Sequence, residues 1–168
     1  WLNLGRAERG MERFDRAKFA FDTAESLVPQ LADASSERGW SELQRRNYTA
    51  ALNDYTSALR LQVEAPIRPR ILFNKALVQV ALRQYEGAEA SLRQLVERAK
   101  PEPYAYNLLA GVLTELKQPD EAERIEKRCR EWVGNDRDRL MEAGRNCRDA
   151  RLYKRGAQFF RSAHAIKA

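Results

Sequence analysis

Apolar and small side chains follow the 3.6-residue period of amphipathic helices along the whole chain, and no window alternates with a period of two. Polar turn segments interrupt this pattern at regular intervals. The pattern therefore predicts ten helices and no sheet. The predicted helices are 1–10, 14–27, 33–45, 48–62, 69–83, 85–99, 103–116, 119–132, 137–150 and 153–166.

The predicted helices form pairs that repeat along the chain. A turn followed by a small residue opens the second helix of each pair. These small residues are Ala17, Ala51, Ala88, Ala122 and Gly156, so the successive steps are 34, 37, 34 and 34 residues. The longer step contains the proline-bearing segment APIRPR at 65–70. A fixed period of this length predicts a repeat array whose neighbouring helix pairs bury each other's apolar faces.

The spacing that recurs within the helix pairs carries a family resemblance. The first repeat has bulky, small and aromatic residues in a recognisable order, at Trp1, Leu4, Gly5, Ala17, Phe21, Ala24 and Pro29. In this pattern the chain resembles the tetratricopeptide repeat family. The resemblance implies an all-α, right-handed superhelical α-solenoid with repeats at about 1–31, 32–65, 69–102, 103–136 and 137–168. Because Trp1 falls at the fourth repeat position, we expect the chain to be part of a longer repeat protein.

The resemblance also implies which residues meet a partner. In the family, the first helix of each repeat lines a concave face. That face would be aromatic in its centre and basic at its ends. The candidate partner-binding residues are Arg6, Arg9, Trp40, Phe73, Asn74, Leu77, Tyr104, Asn107, Arg145 and Arg148. The alternative is that Trp40 and Phe73 pack only against neighbouring helices.

Charge and composition define the expected partner. The chain has 30 Lys and Arg against 24 Asp and Glu, a net charge of +6. Arginine and aromatic side chains often dominate binding energy, so the predicted partner is a protein or peptide with acidic and apolar residues. Some family members clamp the C-terminal carboxylate of chaperones, but only Asn74 matches the residues that this clamp needs. The ends, which lack a polar capping helix, would allow self-association.

No residue pattern indicates catalysis, a metal or a cofactor. His164 is the only histidine, Cys129 and Cys147 form no CxxC pair, and the glycines form no phosphate-binding loop. No apolar run approaches the roughly 18 residues of a membrane helix. The sequence therefore predicts a non-enzymatic protein–protein interaction scaffold without a cofactor and without membrane insertion.

Two further functions stay open. The resemblance to long repeat arrays suggests an assembly scaffold in a bacterial envelope, exopolysaccharide-export or pilus machine. Basic and aromatic residues in 137–167 suggest, less strongly, an RNA-binding helical repeat. Both the cytoplasm and the periplasm are compatible with the composition.

Overall fold

The computed structural model describes residues 1–61, 67–97, 103–134, 136–149 and 153–166, and the regular structure in these ranges is helical. Every predicted helix is present, with ends shifted by no more than three residues. The helices are α1 (Leu2–Gly10), α2 (Phe14–Leu27), α3 (Ala32–Gln44), α4 (Tyr48–Arg60), α5 (Arg68–Ala81), α6 (Tyr85–Val96), α7 (Pro103–Glu115), α8 (Pro119–Val133), α9 (Arg137–Asp149) and α10 (Tyr153–Ala165).

The turns inside the first four helix pairs share one backbone conformation. Each contains a non-glycine residue with φ near +60°, at Glu12, Arg46, Arg83 and Lys117. The next residue donates its backbone N–H to a carbonyl near the end of the preceding helix. Arg13 donates to Glu8 over 2.9 Å, and Gln118 donates to Leu113 over 2.9 Å. This is the Schellman ending of a helix, and its recurrence in the repeat register confirms the predicted pairing.

Close approach of the two helices in a pair depends on glycine facing an aromatic ring. The pairs are Gly5 with Phe21, Gly39 with Tyr55, and Gly144 with Phe160. A Cβ atom at Gly39 would lie 3.1 Å from Cε1 of Tyr55, and one at Gly144 would lie 2.5 Å from Cε1 of Phe160. The glycines therefore let the aromatic ring of the second helix approach the backbone of the first closely.

The chain forms two compact parts, residues 1–84 and residues 85–168. The boundary lies inside the predicted third repeat, between α5 and α6, so the division of one array into five repeats stays a prediction. In the N-terminal part, α1 packs on α2 and α3 on α4, while α2 and α4 each pack on the first helix of the next pair. Contacts of α3 with both α1 and α5 bring three first helices together on one face.

One hydrophobic cluster of the N-terminal part lies between α4 and α5. Its fully buried members are Ala51, Tyr55, Ala58, Ile71 and Val78. Burial of this apolar area is the main favourable contribution to folding.

The C-terminal part is built from α6 to α10. Helix α7 packs on α6 and α8, and α9 packs on α10 and also contacts α7 and α8. A cavity of about 610 Å³ lies among α7, α8, α9 and α10. Within the described ranges, no helix combines the length and apolar character needed to cross a membrane.

Candidate partner-binding site

A cavity of about 340 Å³ opens on the face that α1, α3 and α5 form. Its lining residues come from the first helices of three consecutive pairs and are Arg9, Ser36, Glu37, Trp40, Arg70 and Asn74. Three of them, Arg9, Trp40 and Asn74, are residues that the sequence predicted to meet a partner. Trp40 is 37% exposed, so packing against its neighbours leaves part of its side chain accessible.

The carboxylate of Glu37 is the centre of the site. It accepts hydrogen bonds from Nε of Arg6 at 3.0 Å and from Nη1 of Arg9 at 2.5 Å. Nη2 of Arg70 lies 3.5 Å from Oε1 of the same carboxylate. One acidic side chain on α3 therefore gathers two arginines of α1 and one arginine of α5. We call Glu37, Arg6, Arg9 and Arg70 the Glu37 cluster.

The Glu37 cluster carries a net positive charge. Burial alone would raise the pKa of Glu37, but the hydrogen bond from Arg9 and the charges of Arg9, Arg6 and Arg70 outweigh it and hold this pKa below the ordinary 4.5. Glu37 is therefore ionised at neutral pH. Three guanidinium groups and one carboxylate leave a charge of +2 beside Trp40.

The three arginines differ in their access to solvent. The side chain of Arg9 is only 16% exposed, whereas those of Arg6 and Arg70 are 41% and 55% exposed. Arg9 is thus a buried support for Glu37. The side chains of Arg6 and Arg70 keep surface that is accessible to solvent.

Tyr55 of α4 is fully buried, and its hydroxyl lies near Asn74 and Arg70, which line the cavity. Burial raises the pKa of its hydroxyl well above the usual range, and the amide of Asn74 and the charge of Arg70 oppose this only in part. Asn74 is its polar neighbour, although no hydrogen bond of good geometry joins the two side chains. The hydroxyl is therefore neutral and adds no charge to the neighbouring Glu37 cluster.

The other predicted residues of the N-terminal part flank this cavity on α5. Phe73 and Leu77 are half-buried. Of the two basic residues predicted at one end of the face, Arg9 lines the same cavity as Trp40, and Arg6 donates a hydrogen bond to Glu37 of that cavity.

The predicted partner-binding residues of the C-terminal part differ from one another in their exposure to solvent. Tyr104 is half-buried and Arg145 of α9 is exposed. Asn107 is buried and lines the 610 Å³ cavity, so it faces helices of its own part. The side chain of Arg148 lies outside the described residues.

Sequence reasoning missed three members of the site, namely Glu37, Ser36 and Arg70. A usable signal exists for Glu37, which follows Arg6 and Arg9 by 31 and 28 residues. Because one repeat spans 34 residues, Glu37 lies at a similar height on α3 as these two arginines do on α1. The difference in height is within about two helical turns. Its burial among arginines, however, is a tertiary property.

A second charged cluster in the N-terminal part is structural. Arg38 of α3 forms ion pairs with Asp22, Glu25 and Asp54 at 2.6 to 2.7 Å. Burial tends to lower the pKa of Arg38, but hydrogen bonds and charges from these three carboxylates raise it overall. Because Arg38 is surrounded by acidic partners on α2 and α4, this cluster joins helices rather than offering a charge to a ligand.

The fold and the site together define an all-α repeat protein with an exposed face built from successive first helices. The sequence profile of the family described as Tetratricopeptide repeat matches residues 2–66, 36–80 and 73–131. The chain belongs to the tetratricopeptide repeat family, and the predicted class of repeat α-solenoid is confirmed.

Solved structures share this fold at low sequence identity. MamA superposes with a TM-score of 0.72 at 14% identity, over 96% of this chain and 93% of MamA. YrrB, described as a TPR protein with an unusual peptide-binding site, gives 0.71 at 20% identity, over 99% and 84%. PilF of Pseudomonas aeruginosa gives 0.68 at 19% identity, over 99% and 75%. Comparison with curated protein sequences gives no significant match, and no catalytic family is indicated.

Proposed function

We propose that this chain is a non-enzymatic interaction module that holds a segment of a partner protein against the face formed by α1, α3 and α5. The observation that carries this proposal is the exposed Trp40 beside the positively charged Glu37 cluster. Membership of the tetratricopeptide repeat family supports it, as does the peptide-binding site reported for the structurally similar YrrB.

The chemistry of the face favours a segment with apolar and acidic residues. Trp40 offers a large apolar surface, and burying such a side chain against a partner contributes strongly to affinity. The +2 charge of the cluster would attract acidic side chains and speed their association. The predicted residues of the C-terminal part, Tyr104, Asn107, Arg145 and Arg148, remain candidates for a separate contact.

The test is a selection from displayed random dodecapeptides, followed by titration of the tightest peptide against purified variants. Trp40→Ala should weaken binding by about 30-fold, which corresponds to loss of an interface hot spot. Trp132→Ala is the matched control, because Trp132 of α8 is 38% exposed but lies in the other part. Its affinity should stay within about two-fold of the wild type, as expected outside a hot spot.

Two results would overturn the proposal. One is that no peptide is enriched above the background of the display scaffold. The other is that Trp40→Ala binds the peptide as tightly as the wild type while remaining helical by circular dichroism, because the selected peptides would then bind without using Trp40 on the face of α1, α3 and α5.

A further inference from the structure

The cavity of about 610 Å³ among α7, α8, α9 and α10 has a volume typical of small-molecule binding sites. Its lining combines a carboxylate with amide and apolar side chains. Among the lining residues are Asn107 of α7, Glu126 of α8, Leu140 of α9, and Phe159 and Ile166 of α10. All of them lie within residues 85–168, so the cavity belongs to one compact part of the chain.

Glu126 occupies a repeat position that holds a large apolar residue in the other helix pairs. Four residues after the small residue that opens each second helix, the five pairs have Phe21, Tyr55, Leu92, Glu126 and Phe160. Phe21, Tyr55 and Leu92 are fully buried. The fourth pair instead places a charged side chain at this position, and that side chain lines the cavity. A polar group in place of a packed apolar residue reduces stability, and such a loss is typical of functional sites.

The lining favours a cation with a hydrocarbon body. Glu126 is half-buried, so its negative charge attracts a bound cation more strongly than a fully solvated carboxylate would. Phe159 contributes an aromatic ring, and such rings attract ammonium and guanidinium groups. Leu140 and Ile166 offer apolar surface to a hydrocarbon chain, and the buried Asn107 adds an amide whose oxygen accepts hydrogen bonds.

We propose that this cavity binds a small organic cation, an ammonium or guanidinium group on a hydrocarbon body, and that Glu126 neutralises its charge. The site is additional to the proposed partner-binding face of α1, α3 and α5. Arg130, four residues further along α8, also lines the cavity, and its positive charge opposes the cation. Because Arg130 is exposed whereas Glu126 is half-buried, solvent screens the arginine more strongly, and the attraction by the carboxylate prevails.

The test compares phenethylamine, phenethyl alcohol and hydrocinnamate, which share one hydrocarbon body and carry a cation, a neutral group and an anion. Each is titrated into the whole chain and followed by the NMR shifts of backbone amides, which also locate the site. Phenethylamine should shift amides of α8 and α10, with a Kd on the order of 1 mM for a ligand of about nine non-hydrogen atoms. The alcohol and the acid should bind about ten-fold more weakly, because they lack the charge-assisted hydrogen bond.

Variants of α8 test the role of Glu126. Glu126→Gln keeps the size of the side chain and removes its charge, so it should weaken phenethylamine binding by about ten-fold and leave the alcohol within about two-fold. Glu123→Gln is the matched control, because Glu123 is exposed on the same helix and lies outside the cavity lining. It should leave all three affinities unchanged. Arg130→Ala should tighten phenethylamine binding by about two-fold, because it removes an exposed like charge.

Three outcomes would overturn the inference. Hydrocinnamate binding as tightly as phenethylamine would assign the cavity to an anion held by Arg130. Equal losses of phenethylamine affinity in Glu126→Gln and Glu123→Gln would show only a general attraction between opposite charges. Absence of amide shifts in α8 and α10 at ten times the expected Kd would show that the cavity is not a binding site. Each of these outcomes leaves the proposed partner-binding function intact, because that function is tested with Trp40→Ala in the other part of the chain.

Discussion

Adding one methyl group at Gly5 tests the packing rule on which the repeat depends. Gly5 is buried in α1, and its missing side chain faces Phe21 of α2. A Cβ atom there would lie 2.6 Å from Cδ1 and 2.8 Å from Cζ of Phe21. Carbon atoms in contact are normally about 3.5–4.0 Å apart. Because Phe21 is itself fully buried, its ring cannot move into free space, so α1 must shift away from α2.

Two opposing effects determine how much Gly5→Ala changes the free energy of unfolding. Overpacking a well-packed core costs about 1–3 kcal/mol. Alanine is favoured over glycine inside a helix by about 1 kcal/mol, which offsets part of this cost. We therefore expect Gly5→Ala to lower the free energy of unfolding by up to about 2 kcal/mol, measured by urea unfolding followed by circular dichroism.

A control on the same helix separates these terms. Gly10 ends α1, and a Cβ atom there would meet nothing within 4 Å. Gly10→Ala should therefore keep only the helix-propensity gain and stabilise the protein by up to about 1 kcal/mol. Equal stability of the two alanine variants would refute the steric reasoning.

Shrinking the facing ring should compensate for the added methyl group. The third repeat carries Ala76 and Leu92 at the positions that Gly5 and Phe21 occupy in the first. In a double-mutant cycle, Gly5→Ala with Phe21→Leu should be more stable than the sum of the single changes predicts, with a coupling energy of at least about 0.5 kcal/mol. Additive single effects would contradict direct contact between these positions.

The remaining predictions concern a turn and the Glu37 cluster. Lys117 has φ of +60° and is exposed. Lys117→Gly should therefore relieve left-handed backbone strain and raise the free energy of unfolding by about 0.5–1 kcal/mol. A loss of stability in urea unfolding would contradict this. The pKa of Glu37 is lowered on folding, so its stabilising effect is present above pH 4.5 and disappears as pH falls through the folded-state pKa. In urea unfolding, the wild type should therefore have a higher free energy of unfolding than Glu37→Gln at pH 7, and this difference should shrink below pH 4.5. A difference that does not change with pH would refute the link between the pKa of Glu37 and stability.

Much of the fold follows from local sequence. Helix ends could be predicted to within three residues because each pair is punctuated by the same turn and the same small residues. The glycine at 5, 39 and 144 and the facing aromatic residue recur at one spacing, so their contact could be inferred from any one repeat. These features are repeated and depend on neighbours close in the chain, which is why the pattern of apolar and polar residues contains them.

The candidate site was only partly predictable. Sequence position placed Arg9, Trp40 and Asn74 on the first helices, and the structure brings these three to one cavity. Residue type alone gave no reason to choose Glu37 or Arg70, because a charged residue on a helix is usually solvated. Their role appears only once α1, α3 and α5 lie side by side.

The amino-acid sequence by itself determined the helices, their pairing and the small residues that let them approach, since these depend on periodicity and on backbone sterics within one repeat. Only the tertiary structure decided that a buried carboxylate would collect arginines from two neighbouring helices beside Trp40. The physical reason is that charge interactions depend on distance and burial in space, and residues 6, 37 and 70 acquire both only when three repeats pack together.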